Sequence, residues 1–453
     1  MHPHLPEGTE KEVVTLLSQL IQINTSNPPG NETAAAKFLA QNLTSEGFNC
    51  EILESAPNRG SVITRLNGTG EKPRLLLLSH LDTVPAEPKE WTLDPFSGTI
   101  KNGYVWGRGA LDMKGMTAIE AVTLKLLKRN EIPLKGDVIL AATADEEMGG
   151  IGGADYLLKH YPDKIFAEYV INEGGGHSIP THNKTAYTVN TAEKGLLWFR
   201  AKAKGTPGHG SLPEATDNPI IRMNQVISVL ANFHPQVKLV QATQQFLIGL
   251  AQADPTLQPC LTQILEHPQE SDEAIASLDK VAPAVADEVR PRLKMSITPT
   301  IIRGGYKENV IPSECEAVFD CRVLPGQTTA EAMKLVRDLL KDVGFDKLSF
   351  ENIQVQEPTE SPTQTPLFNI IHEVLSEADP NCAVIPFLMA GGTDSRFFRR
   401  MGSICYGFQP LLRENRVNTK PTRLEHGTDE RISVKNLVFG VTILYETVKR
   451  FMT

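Results

Sequence analysis

Hydrophobic positions between Cys50 and Glu173 fall into short unbroken runs separated by stretches of helical spacing. Leu75-Leu76-Leu77-Leu78, Val138-Ile139-Leu140-Ala141-Ala142 and Tyr169-Val170-Ile171 have the length and composition of strands buried on both faces. Residues 114–128 lie between the first two and repeat Met116, Ile119, Val122, Thr123, Leu126 and Leu127 at helical spacing. This strand–helix rhythm predicts a largely parallel sheet with helices on both faces. Ahead of it, residues 9–48 read as helix, turn, helix. Asn24-Thr25-Ser26-Asn27-Pro28-Pro29-Gly30-Asn31 forms the break, and Asn31 or Thr33 is expected to cap the second helix.

The pattern changes near Tyr187. Residues 198–205 alternate like a strand, 297–303 and 314–324 also read as strands, and 215–234 and 327–342 read as amphipathic helices. A smaller α+β domain inserted in the first accounts for this change. Residues 235–295, rich in Gln, Pro, Asp and Glu, read as a helical excursion within the insert. From Thr365 onward the first pattern resumes, with a strand at 383–387 and a closing amphipathic helix at 434–451. The expected organisation is an α/β domain with a mostly parallel sheet, built from residues 1–188 and 358–453. Residues 189–357 form the inserted α+β domain.

A chain of 453 residues can bury two cores. Its 40% hydrophobic and 22% charged residues are ordinary for a globular protein, and a net charge of -9 argues against nucleic acid or a membrane surface as partner. No apolar run approaches the roughly 20 residues that span a bilayer. The first residues have neither the basic nor the apolar region of a signal peptide. The six cysteines are scattered with no CxxC pair, which fits free thiols in a reducing compartment and a cytoplasmic location.

Candidate chemistry sits where the strands end. Ser79-His80-Leu81-Asp82 follows the leucine run, Asp145-Glu146-Glu147 follows the second strand, and Glu173-Gly174 the third. Gly109-Ala110-Leu111-Asp112-Met113-Lys114-Gly115 opens a helix, and Glu425-His426-Gly427-Thr428-Asp429-Glu430 comes much later. Strand ends of an open α/β sheet converge on one crevice. Carboxylates and imidazoles delivered there suit a pair of divalent cations sharing a bridging carboxylate. In the His80/Asp82 pair one residue can bind metal while the other orients it. Of Glu146 and Glu147, one can ligate while its neighbour holds the attacking water. Nitrogen and oxygen donors favour Zn²⁺, with Co²⁺ or Mn²⁺ as substitutes. HExxH, GxSxG and Walker A motifs are absent.

These segments closely resemble the co-catalytic zinc family that includes aminoacylase, carboxypeptidase G, acetylornithine deacetylase and succinyl-diaminopimelate desuccinylase. The likeness runs through residues 79–85, 106–115, 143–149, 172–174, 205–213, 308–312, 391–396 and 425–430. It implies that Asp112 bridges two zinc ions, with His80 and Glu173 on one, Glu147 and His426 on the other. It makes Glu146 the general base and acid, has Asp82 support His80, and places a cis peptide after Asp112. It also implies that the first domain is catalytic and the insert a lid that dimerises. His209, in Thr206-Pro207-Gly208-His209-Gly210-Ser211, then reaches a partner subunit's active site and donates a hydrogen bond to the tetrahedral oxyanion there. Asn309, Arg322 and Arg396 are implied contacts to a substrate carboxylate, with Gly392 and Thr393 shaping the wall beside it. The implied activity is amide hydrolysis of N-acyl amino acids or short peptides with a free carboxylate. The long excursion, and Trp91 with Asp94-Pro95-Phe96, are more like the aminoacylase and yeast vacuolar carboxypeptidase branch than the short-lid members. Desuccinylation or deacetylation of a diamino acid is the alternative activity. A metal- or ligand-binding protein without turnover, or a scaffold dimer using only the lid, represents other classes.

Overall fold

The computed structural model describes residues 5–412 and 424–453. The strand Leu75–His80 lies at its centre, with Leu75 and Leu77 in one hydrophobic cluster and Leu76 and Leu78 in another. A leucine run with no polar alternation is what a strand between two helical layers requires. Val138–Thr143 and Tyr169–Asn172 run parallel to it on either side, Leu75 standing opposite both Val138 and Tyr169. Ile404–Gly407 extends the parallel set beyond Tyr169–Asn172. Gly60–Leu66 and Cys50–Glu54 flank one margin in antiparallel fashion. At the other margin Thr185–Glu193 meets Ile404–Gly407 antiparallel and carries Cys382–Met389 in parallel.

Helices Thr9–Ile21, Glu32–Thr44, Lys114–Arg129, Pro366–Ala378 and Val434–Met452 cover the face of Leu75 and Leu77. Ala154–His160 and Ser395–Arg400 cover the other face. The expected α/β architecture is therefore present. The helix after the Asn-Pro-Pro break starts at Glu32 without the expected cap: Asn31 makes no side-chain capping bond, and the Thr33 hydroxyl donates to Glu54 Oε1 at 2.5 Å.

A four-stranded antiparallel sheet runs in the order Ser296–Gly304, Glu314–Val323, Gly195–Lys204, Leu348–Gln356. Leu197, Phe199, Ala201 and Ala203 alternate into its core, beneath Pro219–Ala231 and Thr329–Leu339. The strand Thr185–Glu193 spans the 188/189 boundary expected from sequence and pairs within the large sheet, so the change of sheet comes at Lys194. The return comes after Gln356, because Thr359–Glu360 pairs with Thr185–Glu193.

The excursion is helical, as its composition implied: Gln241–Ala253, Gln258–Glu266, Ser271–Val281 and Pro283–Val289. Its packing differs from expectation. Phe246, Leu250, Leu261 and Leu278 share a core with Ile179, Ala186, Ile385 and Phe387 of the large sheet. Local composition shows that these segments are helical but not which sheet their apolar faces meet. All six cysteines are free, with Cys315, Cys321 and Cys405 buried. Among the described residues no helix is long and apolar enough to cross a membrane.

Glu120 lies fully buried on the helix Lys114–Arg129. Burial pushes its carboxyl well above the usual range, and neither carboxylate oxygen has a hydrogen-bond partner among the described residues. An acid whose folded-state value is raised binds its proton more tightly in the folded chain. The fold therefore loses stability as pH rises above the ordinary carboxylate value, by about 1.4 kcal/mol per pH unit until the raised value is passed. Glu120→Gln removes that loss. Its melting temperature relative to the parent is expected to rise between pH 5 and pH 8. An identical difference at both pH values excludes a neutral buried Glu120.

Candidate active site

The parallel strands Leu75–His80, Val138–Thr143 and Tyr169–Asn172 deliver His80, the Asp145-Glu146-Glu147 turn and Glu173 to one edge of the large sheet. Asp145 is left-handed at φ 71° and opens a single 3₁₀ turn, Glu146–Met148, closed by Gly149 at φ 103°. This turn sends the adjacent glutamates in different directions. Glu147 Oε2 lies 3.3 Å from His426 Nε2, and its Oε1 accepts the Val84 N–H at 3.2 Å. Glu146 Oε1 instead lies 3.9 Å from Arg396 Nη1.

Asp112 stands between two histidines. Its Oδ1 is 3.0 Å from His80 Nε2 and its Oδ2 is 3.0 Å from His426 Nε2. Glu173 Oε2 lies 3.8 Å from His80 Nε2. The donor atoms of His80, Asp112 and Glu173 fall within 4.8 Å of one another, and so do those of Asp112, Glu147 and His426. Two trios therefore share one carboxylate. The peptide Asp112–Met113 is cis.

The charge balance of the trios fits cations. Hydrogen bonds to Asp112 and then Glu147 push His426 up to about 10. Burial opposes a charge on His80, yet Glu173, Asp112 and Asp82 hold it well above its usual value. Burial pushes Glu173 up to about 7, with His80 opposing and Asp112 adding. Such carboxylates, crowded and largely shielded from water, demand positive charge, and divalent cations can take the place of those protons. One imidazole nitrogen with carboxylate oxygens in each trio is a donor set that zinc accepts.

Asp82 holds the turn as well as the histidine. Its Oδ1 accepts the Glu146 N–H and its Oδ2 the Glu147 N–H, both at 3.1 Å, and Asn27 Nδ2 donates to Oδ2 at 2.9 Å. The same carboxylate lies 3.4 Å from His80 Nδ1. Burial drives Glu146 well above the carboxylate range, with Glu173 and Asp394 adding while His80 and Arg396 oppose.

His209 and Asn309 lie together on a short ribbon in which Gly208–His209 pairs with Val310–Ile311. Ser211 N donates to His209 Nδ1 at 3.2 Å, and Ser211 Oγ lies 2.7 Å from the same nitrogen. A neutral His209 accepting there carries its proton on Nε2. Other residues expected at the substrate are committed elsewhere. Arg322 is engaged by Asp320 through bonds of 2.7 and 3.0 Å. Thr393 is buried and donates to Glu193 from both N–H and hydroxyl. Arg396 is buried and donates to the carbonyls of Thr393 at 2.5 Å and Gly149 at 2.8 Å. Gly392 lies in the same corner, where a side chain would meet Gln356 Oε1 at 3.3 Å.

Sequence reasoning left Glu430 and Arg108 without a role. Glu430 closes the segment that carries His426 and is fully buried, accepting four N–H groups from residues 108–112. The only local signal is an acid four residues beyond the histidine. Its partners lie more than three hundred residues away in sequence, about 320 positions, so only the fold reveals them.

A family model described as peptidase family M20/M25/M40 matches residues 76–450. The N-fatty-acyl-amino acid synthase/hydrolase PM20D1 of Bos taurus is 27% identical over 460 residues, covering 97% of this chain and 87% of that protein. Aminoacylase-1 of Sus scrofa is 27% identical over 443 residues, covering 96% and 94%. Among solved structures, the M20 family metallo-carboxypeptidase Sso-CP2 from Sulfolobus solfataricus superposes with a TM-score of 0.75 at 19% identity, covering 97% of this chain and 99% of that one.

Proposed function

Given that the chain belongs to peptidase family M20/M25/M40 and is a metal-dependent hydrolase of amide or peptide bonds, we propose that it cleaves N-acyl amino acids or short peptides whose released residue bears a free carboxylate. The observation that carries the two-metal part is Asp112, whose two oxygens face two histidines from opposite sides. His80, Asp112 and Glu173 would hold one zinc ion, and Asp112, Glu147 and His426 the other. Bound there, the cations supply Lewis acidity toward water and the scissile carbonyl.

The remaining chemistry belongs to the chain. Glu146 takes the proton of the attacking water and returns it to the leaving amine, a cycle favoured by a carboxyl that burial raises above the usual carboxylate range. Asp82 fixes the Glu146 backbone through the N–H bond it accepts. His209 offers its Nε2–H to the developing oxyanion once domain closure brings the ribbon over the cleft. Asn309, on the same ribbon, and Arg322 take the substrate carboxylate. Arg322 reaches it by giving up its ion pair with Asp320.

Two further readings accompany this one. The apolar Ile220, Ile221, Ile301 and Ile302 are exposed on the inserted domain, which supports a homodimer formed through it. Free thiols support a cytoplasmic location. A monomeric mass in solution, or a chain found fractionating outside the cytoplasm, removes the respective reading.

The test is hydrolysis by metal-free protein reconstituted with graded Zn²⁺ or Co²⁺. The panel holds short- and long-chain N-acyl amino acids, dipeptides, N-acetylornithine and N-succinyl-diaminopimelate. Activity saturating near two metal ions per chain on an N-acyl amino acid or dipeptide is expected. Preference for a diamino acid derivative selects the biosynthetic alternative. No turnover with both metals bound selects a binding protein.

A further inference from the structure

We infer that Glu430, acting with Arg108, is a positioning residue that sets the spacing between Asp112 and His426. The inference rests on the two-metal reading, because it concerns how the second trio is held in register. His426 is the weakly supported member of that trio: its side chain is 55% exposed and its backbone is left-handed at φ 60°. A ligand on such a loop pays ordering entropy when it binds, unless the loop is already fixed.

Glu430 fixes it to the segment that presents Asp112. Its Oε1 accepts the N–H groups of Leu111 at 2.7 Å and Asp112 at 3.1 Å. Its Oε2 accepts Gly109 N–H at 3.1 Å and Arg108 Nη1 at 2.7 Å. The second fork of Arg108, Nη2, reaches the His426 carbonyl at 3.3 Å, while the guanidinium lies 5.1 Å from the Trp91 ring centre. Arg108 and Glu430 thus connect the backbone of one ligand to that of the other. Both sides of Glu430 are pinned as well. Asp429 accepts the Thr92 N–H and hydroxyl, each at 2.7 Å, and Arg431–Ser433 pairs antiparallel with Tyr104–Trp106.

A carboxylate is the group this geometry needs. Two oxygens face two pairs of donors, and an amide can meet only one pair, turning its own N–H₂ against the other. Glu430→Gln therefore disturbs the brace with almost no change in volume. Arg108→Lys keeps the charge but cannot reach Glu430 and the His426 carbonyl with a fork.

The experiment is Co²⁺ titration of the metal-free full chain, followed by absorption spectroscopy, with His426→Ala as reference. The parent is expected to bind two Co²⁺ ions. Glu430→Gln is expected to keep the first and bind the second roughly 10- to 100-fold more weakly. Its spectrum at one equivalent should match that of His426→Ala. Arg108→Lys should move in the same direction, and it decides the matter if Glu430→Gln does not fold, as judged by circular dichroism of the metal-free proteins. Parent-like binding of both ions by the folded variants overturns the brace and leaves the two-metal reading standing. A parent that binds fewer than two ions overturns both.

Discussion

Glutamine at position 146 is expected to lower kcat by roughly 10²- to 10⁴-fold, the usual contribution of a general base, with metal content unchanged. Glu146 belongs to neither trio, although the neighbouring Glu147 belongs to one. Its carboxyl is buried and pushed well above the ordinary carboxylate range, first by burial and then by Glu173. A carboxyl raised in this way is a stronger base than an ordinary carboxylate, which suits it to take the proton of the attacking water and hand it on. Glutamine has nearly the same shape, and the N–H bond from residue 146 to Asp82 is a backbone bond that survives the change. The loss should therefore appear in kcat, with KM close to the parent value, because the missing event is a proton transfer and not binding. Metal analysis of the same preparation separates the alternatives. Normal turnover removes Glu146 as the base, and a lost metal ion makes it a ligand instead.

That assignment shows what could be read before the fold was known. The sequence placed His80, Glu146, Glu147 and Glu173 at strand ends because buried runs such as Leu75-Leu76-Leu77-Leu78 have fixed length and direction, and parallel strands end on one edge. Strand-end position alone left open which of Glu146 and Glu147 does which task, and the family resemblance supplied the assignment. That depends on a single 3₁₀ turn after a left-handed Asp145, a backbone conformation that residue type alone does not specify. Contacts between distant segments were further out of reach. Thr393 and Arg396 have the chemistry of substrate contacts, yet they are buried among protein partners such as Glu193 and the Gly149 carbonyl. An arginine's freedom depends on its neighbours in space, which composition does not encode. The helices between 241 and 289 were legible as a helical excursion from their composition. Their seat on the large sheet depends on Ile385 and Phe387, about a hundred residues further along.

Asp112→Ala is expected to remove both metal ions and, with them, turnover on every substrate. Other members of the trios serve one metal position each, so His426→Ala should retain one ion. Asp112 serves both, with Oδ1 toward His80 and Oδ2 toward His426. No neighbour can replace it. Glu173 approaches the His80 side and Glu147 the His426 side. Asp112→Asn refines the test, since an amide keeps one oxygen and can serve one histidine-bearing trio only. The expected order of metal content is parent, then Asp112→Asn and His426→Ala at about one ion, then Asp112→Ala near none, by elemental analysis after dialysis against trace zinc. The metal-free proteins should behave differently. There Asp112 is held below its usual range by hydrogen bonds from His426 and His80, against the opposing effect of burial, and it helps keep both imidazoles protonated. Removing it should therefore shift proton uptake by both histidines to lower pH, a change visible in their ring resonances. Two ions retained by Asp112→Ala at parental affinity would show that the shared carboxylate does not bridge, and each trio would then have to close on water or on substrate.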